Sequence, residues 1–159
     1  MFNKNSDFCK LCVQAFGNSK EYQVILNVGN KIDITSLGDL PDNFTIFKSV
    51  PPKKILPITD IIIMNSGIES LNEVFYYNQN LPLILIKQEL SEFDFSKVIK
   101  KCGAGIVLNE KKLTPEKLNE AVNNYIKEKE KYQKGVQTII ESFKEAKNQK
   151  KEILEKIFG

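Results

Sequence analysis

The 159-residue chain contains no histidine, no tryptophan and no arginine, so all 23 of its basic residues are lysines. Each absence removes a chemistry. Without an imidazole there is no Ser-His-Asp or Cys-His nucleophile pair, no zincin-type metal centre and no c-type haem attachment. Without a guanidinium there is no bidentate clamp on a carboxylate or phosphate. No apolar run approaches the ~18 residues of a membrane-spanning helix, and the N-terminus has no basic-then-apolar leader. The chain is therefore expected to be soluble and cytoplasmic, without a transmembrane segment.

What is present is ordinary for a globular domain: 42% hydrophobic and 27% charged residues at a length suited to one core. The net charge of +3 comes entirely from the region after Asn109, where 12 Lys face 9 Glu; the preceding residues carry 11 Lys and 11 acids. So even a balance gives no footprint for nucleic acid, and a solvated Lys/Glu helical surface accounts for it. Three cysteines remain. Cys9 and Cys12 form a C-x-x-C, but within an amphipathic stretch with Phe8, Leu11, Ala15 and Phe16. A redox C-x-x-C opens a helix after a strand, and a tetrahedral metal site needs further ligands. These thiols read as small buried hydrophobes.

Strand-like and helix-like segments alternate. A helix is expected from Asp7 to Phe16, capped by Ser6, then strands at Tyr22–Val28 and Phe44–Phe47. One or two helical turns follow Pro52. A continuous apolar strand, Asp60–Met64, leads through Asn65-Ser66-Gly67 into a helix reaching Asn78. Strands at Pro82–Ile86 and Gly103–Leu108 flank a helix at Phe93–Cys102. Thr114 caps and Pro115 opens a helix to Lys131, and two further helical stretches follow near Val136–Ala146 and Lys150–Phe158. This order describes an α/β domain built on a parallel sheet. It forms a single domain over residues 1–159, with a helical tail over 132–159 that packs back on the domain or on a partner.

The strand–turn–helix at Asp60–Glu73 carries the candidate chemistry. It places backbone N–H groups and the positive end of a helix at the C-terminal edge of a parallel sheet, where anions bind in open α/β folds. Ser66 and Ser70 can add hydroxyl donors, and Glu73, one turn after Ser70, can accept from paired sugar hydroxyls. Helix-capping serines and a surface glutamate explain the same letters.

The chain as a whole resembles the C-terminal, donor-binding half of two-Rossmann-domain (GT-B) UDP-glycosyltransferases of the macrolide glycosyltransferase group. The resemblance runs through Asn27-Val-Gly-Asn30, Leu37-Gly-Asp-Leu-Pro-Asp-Asn-Phe44, Val50-Pro51, Gly67-Ile-Glu-Ser-Leu-Asn-Glu73, Leu81-Pro-Leu-Ile-Leu-Ile86 and Gly103-Ala-Gly105. It implies a Rossmann-like sheet with helices on both faces, lacking that fold's usual first strand. It also implies a UDP-sugar donor site comprising Asn65, Ser66, Gly67, Ser70 and Glu73, with Lys87 offering an ammonium to the diphosphate and no metal or other cofactor. Ser70 matches the family's phosphate-binding serine and Glu73 its ribose-binding glutamate. Asn65 replaces the family histidine, Ser66 the first glycine of its turn, Pro52 a base-contacting glutamine, and Lys87, Ser91 and Glu92 the Pro, Asp and Gln of the sugar-gripping motif.

The implied reaction is hexosyl transfer to a hydroxyl acceptor. It requires the acceptor half that family members carry N-terminally, so the isolated chain is expected to bind UDP or UDP-sugar weakly and to be inactive alone. The expected partners are such an N-terminal half or a strand-exchanged second copy, since the absent strand is central in sheet order 3-2-1-4-5-6. Direct pairing of the two strands beside the gap is a second outcome, and a true start upstream, making the chain a fragment or a degenerate reading frame, is a third. The alternative function is a non-catalytic interaction module derived from a glycosyltransferase.

Overall fold

The computed structural model describes residues 6–17, 19–30, 32–87 and 95–158. Eleven residues form α1 (Ser6–Phe16), which buries Cys9, Cys12 and Phe16 on one face at the spacing of helical turns. Two short strands follow, β1 (Val24–Asn27) and β2 (Phe44–Phe47), paired in parallel with Val24 opposite Phe44. Residues 34–37 form a tight helical turn between them, capped by the Asp33 carboxylate, which accepts from the Thr35 amide at 3.0 Å. Pro52 opens the single-turn α2 (Pro52–Ile55), where a missing N–H costs nothing.

The second half is built around β3 (Ile62–Asn65), β4 (Leu83–Lys87) and β5 (Gly105–Asn109), all parallel, in the order β3-β4-β5. The crossovers are α3 (Ile68–Tyr77) and α4 (Ser96–Cys102). Leu83 to Ile86 are wholly excluded from solvent. A strand covered on both faces has no reason to alternate polar and apolar residues, and the Leu-Ile-Leu-Ile run reflects that.

Two cores lie on opposite faces. One joins α1, β1, β2 and α5 (Pro115–Lys127) with Ile84 and Ile86. The other joins α3, α4 and the first part of α6 (Lys129–Phe158) with Leu83 and Leu85. Helix α6 crosses the α4–β5 turn at backbone contact: a Cβ on Gly135 would lie 2.3 Å from the Gly103 carbonyl oxygen. Gly103 itself sits at φ 64°, a left-handed conformation that glycine adopts without strain.

Four readings change. The helix beginning at Pro115 ends at Lys127, four residues early, because Glu128 leaves helical geometry (φ −113°, ψ 23°). The two further helical stretches are one 30-residue helix, because the polar segment between them has no glycine or proline to stop it. Direct pairing of β1 with β3 does not occur among the described residues: β1-β2 and β3-β4-β5 are separate sheets. The helix expected from Phe93 starts at Ser96, and residues 88–94 lie outside the described residues.

Cys9 and Cys12 are unbonded and buried, as the apolar face implied. Burial pushes the Cys12 thiol up to about 12, with the neighbouring Cys9 a smaller cause. A folded pKa above the unfolded one adds stability that is complete below the ordinary thiol range near 9 and is lost as pH climbs toward 12. At pH 8, iodoacetamide should modify half-buried Cys102 in the native chain, while Cys9 and Cys12 react only after denaturation. Native-state labelling of Cys12 at the rate of Cys102, read by peptide mass spectrometry, would contradict this packing.

Candidate functional site

Because the strands within each sheet are parallel, their C-terminal ends share one edge of that sheet. In the three-stranded sheet that edge carries Asn65, Lys87 and Asn109. Asn65 pairs with Ile86, and Lys87 with Asn109, so Lys87 stands one residue beyond the level of Asn65 on the adjacent strand. Sheet register thus brings Lys87 to the mouth of the β3–α3 turn, although 20 residues separate it from Gly67 in sequence. Lys87 is half-buried.

The turn is short. Asn65 ends β3, Ser66 is buried at 2% exposure, and Gly67 in extended geometry (φ −72°, ψ 133°) precedes the first helical residue, Ile68. The N-cap of α3 is Gly67, which has no side chain to cap it, and not Ser66. This removes the helix-capping explanation for Ser66. The Leu71 amide makes the first helical bond, to the Gly67 carbonyl at 3.3 Å. The amides of Gly67, Ile68, Glu69 and Ser70 therefore have no carbonyl partner inside the helix. Ser70 and Glu73 lie on the solvent-exposed side of α3, opposite buried Leu71, Val74 and Phe75. Glu69 adds negative charge in the first helical turn.

Asn65 has one anomaly. Its Oδ1 is buried and has no hydrogen-bond partner among the described residues. A buried polar atom left unmet costs about 1–3 kcal/mol. Rotating the amide by 180° would place Nδ2 there instead, as a donor. Either way a polar atom at the end of β3 waits for a partner. Among the described residues no cluster of His, Cys, Asp and Glu is arranged to hold a metal.

Two positioning contacts escaped sequence reasoning. The Asn78 Nδ2 donates to the carbonyls of Leu56 (2.9 Å) and Thr59 (3.3 Å), tying the C-terminal end of α3 to the loop before β3. The Tyr125 hydroxyl, 1% exposed, donates to the Asp60 carbonyl at 2.6 Å and pins the start of β3 to α5. Asn after the last apolar turn of α3 was a readable stop signal; nothing local announces a tyrosine 65 residues from its partner. Of the implied site residues, Asn65, Ser66, Gly67, Ser70 and Glu73 come together through one turn, and Lys87 through the sheet. Pro52 stands instead at the start of α2. Ser91 and Glu92 lie outside the described residues.

Residues 18–158 match the family model described as erythromycin biosynthesis protein CIII-like, C-terminal domain. The chain is 37% identical over 121 residues to the NDP-glycosyltransferase YjiC of Bacillus subtilis (strain 168), covering 76% of this chain and 30% of that protein. It is 29% identical over 119 residues to the oleandomycin glycosyltransferase of Streptomyces antibioticus, covering 75% and 27%. It thus spans about a third of the length of the curated relatives it matches. Among solved structures, the calicheamicin glycosyltransferase CalG4 superposes with a TM-score of 0.75 at 23% identity, over 100% of this chain and 41% of that one. The glycosyltransferase VinC, solved in complex with dTDP, gives 0.68 at 21% identity, over 82% and 32%. These likenesses give the fold.

Burial, with Asp60 a smaller cause, raises the Tyr125 phenol to about 12, so it stays a donor through the neutral range. Replacing it, Tyr125→Phe, leaves the Asp60 carbonyl unmet and should cost about 1–2 kcal/mol in urea unfolding. An unchanged midpoint would show that α5 does not anchor β3.

Proposed function

The chain belongs to the erythromycin biosynthesis protein CIII-like C-terminal domain family, the donor-side domain of glycosyltransferases, and from that premise we propose that it binds the nucleoside-diphosphate part of a sugar donor at the β3–α3 turn. The observation that carries the reading is the start of a ten-residue helix whose first amides have no carbonyl partner inside the helix, beside the buried Asn65 side-chain amide, whose Oδ1 meets no partner among the described residues. An anion at this position receives N–H donors and the positive end of the helix. Ser70 supplies a hydroxyl to a phosphate. Glu73, one turn along the same exposed side, accepts from the paired hydroxyls of a ribose.

Lys87 supplies positive charge from the neighbouring strand. This matters because Glu69 opposes a diphosphate and no arginine is available to offset it. Asn65 does by amide donation what an imidazole does in the resembled family, and carries no charge at any pH. Donor binding here is therefore predicted to be insensitive to pH between about 6 and 8, where a histidine site would titrate. Pro52 offers no hydrogen bond to a nucleobase. The binding energy consequently rests on phosphate and ribose, and affinity is expected to be low.

Sugar transfer requires more than this edge. The domain holds the donor, and an acceptor-binding N-terminal half must close the cleft and bring the base that deprotonates an acceptor hydroxyl. The proposed reaction of the assembled protein is hexosyl transfer from a UDP-sugar to a hydroxyl group, without metal. In the proposed organisation residues 1–159 act as one unit, and the helical tail from residue 132 packs through its first turns on this unit.

Titration with UDP and UDP-glucose by calorimetry or ligand-observed NMR tests the site. Saturable binding is expected, and Glu73→Ala should weaken it about tenfold or more, the worth of one charge-assisted contact. Absence of binding at millimolar ligand would overturn the donor-site reading and favour a non-catalytic interaction module.

A further inference from the structure

Helix α1 is tied down at its C-terminal end. The Asn43 Nδ2 donates to the carbonyls of Phe16 (2.9 Å) and Tyr22 (3.1 Å), and the Asn119 Nδ2 donates to that of Ala15 (3.1 Å). The approach is close there: a Cβ on Gly17 would lie 2.8 Å from Cγ of Pro41. Nearer its start, α1 does not close completely on the two strands beneath it. A cavity of about 230 Å³ remains, lined among the described residues by Val13 of α1, Leu26 of β1, Ile46 of β2, and Leu37 and Leu40 from the segment joining the strands.

Protein interiors are close-packed, and few voids in them exceed a water molecule. An apolar cavity of about 150 Å³ takes up benzene, so by proportion this one has room for roughly nine heavy atoms. Leu26 is buried, but Val13, Leu37, Leu40 and Ile46 keep partial contact with solvent. The lining has no aromatic ring among the described residues, and so nothing on which a flat base would stack. Its exposed members are Lys10 and Gln14, four residues apart on one side of α1. The cavity therefore opens beside an ammonium and an amide. No carboxylate belongs to the lining among the described residues; Asp7 on α1 and Asp39 next to Leu40 are exposed outside it. Branched aliphatic walls with a cation at the mouth fit an alkyl chain that ends in an anion.

We propose that this cavity binds a medium-chain aliphatic monocarboxylate, with its alkyl chain against Leu26, Leu37, Leu40 and Ile46 and its carboxylate accepting from the Lys10 ammonium and the Gln14 amide. Removing half-wet apolar side chains from water drives the binding. The ion pair at the exposed mouth contributes less and sets which end of the ligand faces out. No residue of the β3–α3 turn lines the cavity among the described residues, so this site stands whether or not a nucleotide binds at that turn.

Octanoate, titrated below its micelle concentration into the full chain and followed by methyl NMR, tests this. One saturable site is expected, with the shifts concentrated at the methyl groups of Leu26, Leu37, Leu40 and Ile46. Octylammonium, which has the same chain and the opposite charge, should bind about fivefold more weakly, and Lys10→Glu should reverse that order. Leu40→Trp fills the cavity and should abolish octanoate binding. Leu37→Phe is a second filling variant should the first fail to fold, and melting curves show which variants are folded. No saturation at millimolar octanoate would overturn the site. So would binding that survives both filling variants in folded protein, because the alkyl chain would then lie on the outer surface. Equal binding of the two ions, unchanged by Lys10→Glu, would overturn the carboxylate as the preferred head group.

Discussion

Strand β4 is the constraint on which the rest of the structure depends. Its four residues Leu83 to Ile86 are entirely removed from water, and they alternate between two cores. Each such burial contributes about 1.5–3 kcal/mol before the cost of ordering the chain. Among the described residues no other strand is covered so completely. β3 and β5 take their places by pairing with it, α3 and α4 must then cover one face, and α1 and α5 the other. The position of the candidate site follows. Asn65 and Ser66 sit where β3 runs out of partners, and the register against β4 sets Lys87 beside them.

The proposed anion site lacks the side chains most often used for one. The protein has no arginine and no histidine. What remains is the main chain: amides at the start of α3, aimed outward because their carbonyl partners would lie before the helix begins. Backbone donors cannot be substituted away, which is why such a site can persist while Asn65, Ser66 and Pro52 depart from the residues of the resembled family. Side chains supply the rest, one hydroxyl, one carboxylate, one ammonium and one amide. The amide at Asn65 is the feature that distinguishes this turn from a plain helix start, because its buried Oδ1 has no partner among the described residues and a bound donor group would relieve that cost.

The tail obeys a different rule from the core. The first part of α6 is held by Val136, Ile139 and Ile140 against α4 and β4, at a crossing close enough to require Gly135. From Glu141 to Lys150 every residue is exposed. Helix propensity and the absence of a stop residue carry the helix onward, while packing sets only where it begins and how it crosses the sheet.

Much of this was legible in the sequence. The buried runs Asp60–Met64 and Pro82–Ile86, Pro115 at a helix start, Gly103 at a helix end and the apolar face holding Cys9 and Cys12 each follow from local chemistry, because periodicity and backbone restrictions act within a few residues. The chain between Ile62 and Glu73 likewise fixed most of the candidate site, since one turn joins its members. Tertiary structure decided what depends on distant partners. It placed Lys87 at the mouth of the turn through sheet register, left Ser66 buried rather than capping α3, and tied Tyr125 to Asp60. It also left β1-β2 and β3-β4-β5 as separate sheets among the described residues, because strand pairing depends on where distant elements pack and not on the composition of either strand.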